Sequence, residues 1–206
     1  MFVETPRTLL RPVTDADVDE LVALDSDPAV MRYVSGGAPT PRDVIVDWVL
    51  PRAVAEHRTR RGGLWTITDR RYGRFLGWMS LRSPRHSSRA ELELTYRLRR
   101  ESWGRGLATE SARAIVVVAF DALTTDRVFA STTAANNASR RVIEKLGMRP
   151  SAVTLPGDRE SRRHPALPDA EEAASDGSGI LEYELLRRQW EAMRRSPAPT
   201  ARGLSA

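Results

Sequence analysis

Cysteine is absent from the 206-residue chain and lysine occurs once, at Lys145. The first absence removes disulfides, thiolate metal sites and any acyl-cysteine intermediate. The second means that all but one of the 32 basic residues are arginines, so positive charge is carried by planar, always-protonated forks. Long apolar runs are missing as well. The longest, Ala114 to Phe120, falls far short of the roughly 18 residues a membrane span needs. Met1 to Arg11 has neither the basic nor the apolar region of a signal peptide, so a cytoplasmic protein with no membrane partner is expected. Aromatic residues are 6% of the chain and are not interleaved with arginine, which argues against nucleic acid as a partner despite a net charge of +5. His57, His86 and His164 show no metal-ligand spacing, and no metal is expected.

The remaining composition, 41% hydrophobic and 29% charged, suits one domain with one sizeable core. Acidic residues separate most arginines, as on a solvated surface. Two groups stand apart: Arg97, Arg99, Arg100 and Arg105 around a glycine pair, and Arg140 with Arg141. Alternation predicts strands over Phe2 to Val13, Leu64 to Thr68, Phe75 to Leu81, Glu91 to Leu98, Val128 to Thr133, Met148 to Leu155 and Ile180 to Leu186. Helical spacing predicts helices after Thr14, around Ala29 to Val34, over Pro41 to Arg61 with a kink at Pro51, over Leu107 to Leu123, and over Ala138 to Leu146. Tyr72-Gly73 and Ser83 to Arg89 supply turns. Residues 1–195 are expected to form a single domain, with Gly157 to Gly179 a mobile loop, a helical turn near Asp169 to Ala174, and a disordered tail from Ser196.

The most informative stretch runs from Leu98 to Glu110. A strand ends, Gly104 and Gly106 follow, and a helix begins with no acidic or hydroxyl cap directly before it. Such a start leaves backbone N–H groups of Gly104 to Ala108 facing outward, and with the helix dipole they suit a pyrophosphate; a tight turn needing positive φ is the competing explanation. Glu110, in the first turn of the helix, favours its dipole. After the strand at Val128 comes Asn136-Asn137-Ala138-Ser139-Arg140-Arg141-Val142-Ile143-Glu144-Lys145-Leu146-Gly147.

Together, Trp103 to Ala108 and Asn136 to Gly147 resemble the acyl-CoA core motifs of the GNAT superfamily of N-acetyltransferases. Trp103 stands where the family more often has a polar residue. Weaker likenesses at Thr8 to Pro12, Leu76-Gly77 and Glu182 to Leu185 extend the resemblance in order over most of the chain. Trp103 and Ser139 resemble the branch that acetylates the N-terminal alanine or serine of ribosomal proteins. The resemblance implies a three-layer α/β (α+β) fold: a central, mixed, mostly antiparallel sheet of about seven strands, flanked by helices and splayed between Glu91–Leu98 and Val128–Thr133. Acetyl-CoA as cosubstrate would lie in the splay, held by Leu94, Tyr96, Leu98, Arg99, Trp103, Gly104, Arg105, Gly106, Leu107, Ala108, Thr109, Asn136, Ser139 and Arg140. The acceptor would be an amine, on a protein N-terminus or a small molecule, and pairing into a homodimer stays open.

Acyl transfer needs a neutral amine, whereas an α-amino group has a pKa near 7.7 to 8.0 and lysine near 10.4. Glu93 is the candidate base and Glu91 the reserve; a surface carboxylate paired with Arg97 or Arg89 is the alternative for Glu93. A backbone N–H between Leu94 and Tyr96 would hold the oxyanion. Many family members place a tyrosine acid seven positions after the asparagine, but Ile143 stands there. Ser139 is the replacement, unless its hydroxyl merely caps the amides of Val142 or Ile143. Asn136 is expected to bind the pantetheine amide more than to cap the helix. Trp48, Trp65 and Trp78 are expected in the core or a pocket wall. An acyl-CoA sensor without turnover is the second reading, and a nucleic-acid module the third.

Overall fold

The protein is described by a computed structural model over residues 1–84, 90–154 and 179–195. The loop from Gly157, its helical turn near Asp169 to Ala174, the tail from Ser196, most of the turn Ser83 to Arg89, and His86 and His164 lie outside the described residues.

Eight strands form one sheet: β1 (Val3–Glu4), β2 (Thr8–Pro12), β3 (Gly63–Asp69), β4 (Phe75–Arg82), β5 (Glu91–Leu98), β6 (Arg127–Thr133), β7 (Arg149–Thr154) and β8 (Ile180–Leu186). Their order is β1-β2-β3-β4-β5-β6-β8-β7. The count exceeds the expected seven because Phe2 to Val13 is not one strand. Pro6 has no amide to give a ladder, and the Thr5 amide donates to the Thr8 carbonyl at 2.9 Å, closing a turn that folds β1 onto β2.

Helices α1 (Val18–Asp25), α2 (Pro28–Ser35), α3 (Arg42–Val44) and α4 (Leu50–Arg58) cover one face of the sheet; α5 (Leu107–Val117), α6 (Asn137–Lys145) and α7 (Arg187–Arg195) cover the other. Asp27 starts α2, its carboxylate accepting from the Ala29 amide at 2.9 Å with Pro28 in the first turn. Pro51 does not divide its helix. A π turn over Ile45–Val49 precedes it, in which the Leu50 amide reaches back to the Ile45 carbonyl, and the widened turn relieves the missing Pro51 donor. That turn also corrects one expectation: Ile45 and Leu50 face inward and Trp48 is left 53% exposed, whereas Trp65 and Trp78 are buried. Helix α7 was not legible in the sequence; its Trp190 stacks on Phe120 with ring centroids 4.9 Å apart.

All neighbouring strands are antiparallel except β5 and β6, which pair in parallel only at Glu91↔Arg127, Leu92↔Val128 and Glu93↔Phe129. Beyond Glu93 the two strands part. At the root of the split, the Arg127 guanidinium donates at 2.7 Å to each of Glu91 on β5, Glu182 and Glu184 on β8, and lies 4.8 Å over the Phe129 ring. Burial works against this cation, but hydrogen bonds to Glu184, Glu182 and Glu91 outweigh it and hold the Arg127 pKa above its ordinary value.

Arg127→Met should leave three carboxylates together without their cation. A loss of about 3 kcal/mol in urea unfolding is expected, with Tm lower by roughly 6 to 12 °C.

Candidate active site

The split between β5 and β6 leaves one edge of β5 without a strand. The Arg99 amide donates to the Leu76 carbonyl at 2.9 Å, so in the antiparallel register of β4 and β5 the odd residues of β5 bond toward β4. Alternation therefore turns the N–H and C=O groups of Leu94, Tyr96 and Leu98 into the split. Those are the three β5 residues expected to hold a ligand's backbone-like amides. The Leu98 carbonyl is already taken, accepting from the Trp103 indole at 2.7 Å. This explains a large aromatic residue where a polar one is usual: its ring ties the loop to the end of β5. Gly77 lies opposite Leu98 with φ +148°, where a Cβ would sit 2.1 Å from the Arg97 carbonyl oxygen, so β4 can approach β5 here only through glycine.

Past the short helical turn Arg100–Ser102, Gly104 and Gly106 adopt φ of +71° and +77°, and α5 begins with no side chain capping it. Glu110 is the first amide to join the helix ladder, donating to the Gly106 carbonyl at 3.0 Å. The amides of residues 104–109 find no partner among the described residues and form an outward-facing anion nest at a helix N-terminus. Both glycines adopt the positive φ that the competing explanation requires, and the same turn leaves these amides without a partner among the described residues.

The nest is braced from behind by a residue whose function the sequence left at the helix dipole. Glu110 accepts from Thr5 Oγ1 at 2.6 Å, from the Arg7 amide at 2.8 Å and from Arg7 Nε at 2.7 Å, while Arg7 Nη1 donates to the Arg105 carbonyl at 2.9 Å. The β1–β2 turn thus fixes the loop. Desolvation would raise the Glu110 pKa, but the hydrogen bonds from Thr5 and Arg7 hold it below the ordinary carboxylate range.

The arginines divide. Arg105 and Arg141 are exposed and pair with nothing among the described residues. Arg99, expected at the phosphates, turns instead to Glu20 of α1 and lies over the Phe75 ring at 5.1 Å, and Arg100 is 3.9 Å from Asp27. Both arginines thus pair with acidic residues, of α1 and of the α2 cap. Arg140 donates to the Tyr183 hydroxyl at 3.2 Å and the Ala134 carbonyl at 3.4 Å, which places it under the start of α6.

Across the split, Asn136 does cap α6, its Oδ1 accepting from the Ser139 amide at 3.1 Å, and its side-chain nitrogen is the group left for a ligand. The Ser139 hydroxyl does not cap Val142 or Ile143. It lies 3.0 Å from the hydroxyl of Tyr96, which reaches over from β5. Burial pushes the Tyr96 phenol up to about 12, against the hydrogen bond to Ser139 that lowers it, so it stays protonated throughout the physiological range.

On the opposite face of β4 and β5, register pairs Trp78 with Arg97, Ser80 with Thr95 and Arg82 with Glu93. Arg97 donates to Asp25 at 2.5 Å and covers Trp78 at 5.0 Å, and Arg89, the other partner considered for Glu93, lies outside the described residues. Glu91 is committed to Arg127, and Glu93 is the carboxylate at the last β5 position in register with β6, where the strands separate. Arg82 lies beneath, pushed down to about 10 by burial, 3.7 Å from Glu56, and its Nε and Nη2 are buried without a hydrogen-bond partner among the described residues. His57 is structural: it bonds the Leu64 carbonyl at 2.8 Å and packs edge-on to Trp65. Among the described residues no cluster of His, Asp and Glu is arranged to hold a metal ion, and no helix is long and apolar enough to cross a membrane.

A sequence profile described as "Acetyltransferase (GNAT) domain" matches residues 7–149. YkkB, an uncharacterised protein of Bacillus subtilis (strain 168), is 33% identical over 149 residues, covering 70% of this chain and 83% of its own. The FsC-acetyl coenzyme A-N(2)-transacetylase of Aspergillus fumigatus is 26% identical over 213 residues, covering 99% of this chain and 84% of its own. Among solved structures, RimL, a ribosomal L7/L12 alpha-N-protein acetyltransferase in complex with coenzyme A, superposes with a TM-score of 0.70 at 13% identity, over 90% of this chain and 98% of its own.

Gly106→Val would force a β-branched residue into a left-handed φ and set its side chain toward Arg7 Nη2. The apparent Kd for CoA from a thermal-shift titration should rise at least tenfold. For Glu110→Gln the sign follows from the depressed pKa. The carboxylate stabilises the fold above the unfolded value near 4.3, and the difference from the parent protein should be full at pH 7 and close as pH falls through the folded pKa.

Proposed function

The chain belongs to the GNAT acetyltransferase family and is an N-acetyltransferase, and from that premise we propose that it moves the acetyl group of acetyl-CoA directly to a primary amine in a ternary complex. The observation that carries this reading is the unpaired edge of β5 meeting the amide nest of α5: Leu94 and Tyr96 offer extended-strand hydrogen bonds to pantetheine, and residues 104–109 offer N–H groups to its pyrophosphate. Trp103 and Leu107 fix that loop, Ala108 and Thr109 continue the nest, and Arg105 supplies charge at its rim, with Arg141 near the start of α6. Asn136 donates to pantetheine from the other wall. These residues fit the cosubstrate without any metal.

Chemistry follows from placement along the split. Glu93, the last β5 residue paired with β6, takes the proton of the incoming ammonium, directly or through one water, and so delivers a neutral amine. The amide of Leu94 or Tyr96 donates to the developing oxyanion. As the C–S bond breaks and its electron pair leaves on sulfur, the Ser139 hydroxyl donates to it from the first turn of α6. With no cysteine in the chain, an acetyl-cysteine cannot intervene. The acceptor stands on the face bearing Trp78, Thr95 and Arg97, and its class is a protein N-terminus or a small-molecule amine. Likeness to RimL lies in the fold, and a ribosomal-protein N-terminus is the first acceptor to assay.

Thiol release from acetyl-CoA with a panel of N-terminal peptides, amino acids and polyamines tests the reading; release above the amine-free rate is expected with at least one class, and its absence with every class would leave an acyl-CoA sensor. Glu93→Gln should lower kcat by about 10² to 10⁴, steepen the rise of rate with pH, and leave the Kd for CoA unchanged.

A further inference from the structure

Where many relatives carry a tyrosine acid on the helix, this chain has Ile143, which is buried in the core. A tyrosine nevertheless reaches the same helix from a different element. Tyr96 stands on the part of β5 that has left β6, its ring packs against the core beneath α5 and α6, and its hydroxyl bridges to Ser139. It makes two contacts there: 3.0 Å to Ser139 Oγ and 3.2 Å to the Ser139 carbonyl.

A phenol has one proton for these two acceptors, which defines two arrangements. Given to the carbonyl, it leaves the Ser139 hydroxyl to donate back to the phenol oxygen, turned away from the split. Given to Ser139 Oγ, it occupies that oxygen as acceptor and leaves the Ser139 O–H to find another partner in the split. We propose that Tyr96 is a positioning residue that donates to Ser139 Oγ and thereby turns the Ser139 O–H onto the sulfur of the departing CoA. This rests on the reading of Ser139 given above.

Tyr96 is not itself the proton source. A phenol pushed up to about 12 faces a thiol near 8.5, so full transfer to the thiolate is unfavourable by more than about a thousandfold. What the pair supplies is a chain of two oriented donors, in which the second polarises the first. The sulfur keeps its electron pair as a hydrogen-bonded thiolate, and the ammonium proton has already gone to Glu93 or water.

The thiol of bound CoA reports this chain without any acceptor amine. Its ionisation is followed by thiolate ultraviolet absorbance in the binary complex, with the protein alone subtracted. In the parent protein the midpoint should lie below that of free CoA. Tyr96→Phe, which keeps the ring, should raise it by about half a pH unit, a threefold change in the equilibrium. Ser139→Ala should raise it at least as far, Ser139→Thr should restore it, and the double variant should go no further than Ser139→Ala. A parent midpoint in Tyr96→Phe beside a raised one in Ser139→Ala overturns the positioning assignment alone. Additive shifts in the double variant overturn it as well. A parent midpoint in Ser139→Ala overturns the reading of Ser139, and the inference with it.

Discussion

One guanidinium decides where the sheet opens. Arg127 receives carboxylates from β5 and twice from β8 at 2.7 Å, at the one place where β5 and β6 are paired. Three acidic side chains on neighbouring strands would otherwise repel one another at the foot of a parallel pair that is only three residues long. With the cation present, the strands are joined at the root and free to diverge above it. The split is therefore tied at its root by this clamp.

From that constraint the rest of the site follows in order along the chain. A strand that loses its neighbour exposes one edge of backbone donors and acceptors, which extended, amide-bearing ligands satisfy. The loop leaving this edge turns through two left-handed glycines into an uncapped helix, and Arg7 with Glu110 hold that turn against the β1–β2 corner. Strand edge and helix start together present hydrogen-bond donors along a path suited to a long ligand with amides at one end and phosphates at the other. Both described hydrogen bonds that cross from Tyr96 to α6 end on Ser139, the residue read as facing the sulfur.

Local pattern made much of this legible. Alternation placed β3 to β8 within about two residues of where they lie, and the glycine pair before an apolar helix marked the nest. What escaped was decided by long-range pairing. Glu110 looks like an ordinary first-turn acid until Arg7, 103 residues away, donates to it. Arg99 and Arg100, read beside the glycine loop, also pair with Glu20 and Asp27, which α1 and the α2 cap bring to them. The π turn at Ile45–Val49 reverses the facing of Trp48, a one-residue effect that a period of 3.6 does not register. Tyr96 was read for its backbone, because nothing local says that its hydroxyl meets Ser139. Helix α7 is so rich in arginine that only Trp190 hints at a buried side.

The proposed function has the cosubstrate held by the free edge of β5 and the amides at the start of α5. Amide hydrogen exchange with and without CoA tests it directly, because both sets of donors are backbone N–H groups. Slowed exchange at Leu94, Tyr96 and residues 104–109, with the outer strands β1 and β7 unchanged, is the expected result. Slowing elsewhere in the chain while these amides exchange as before would contradict it.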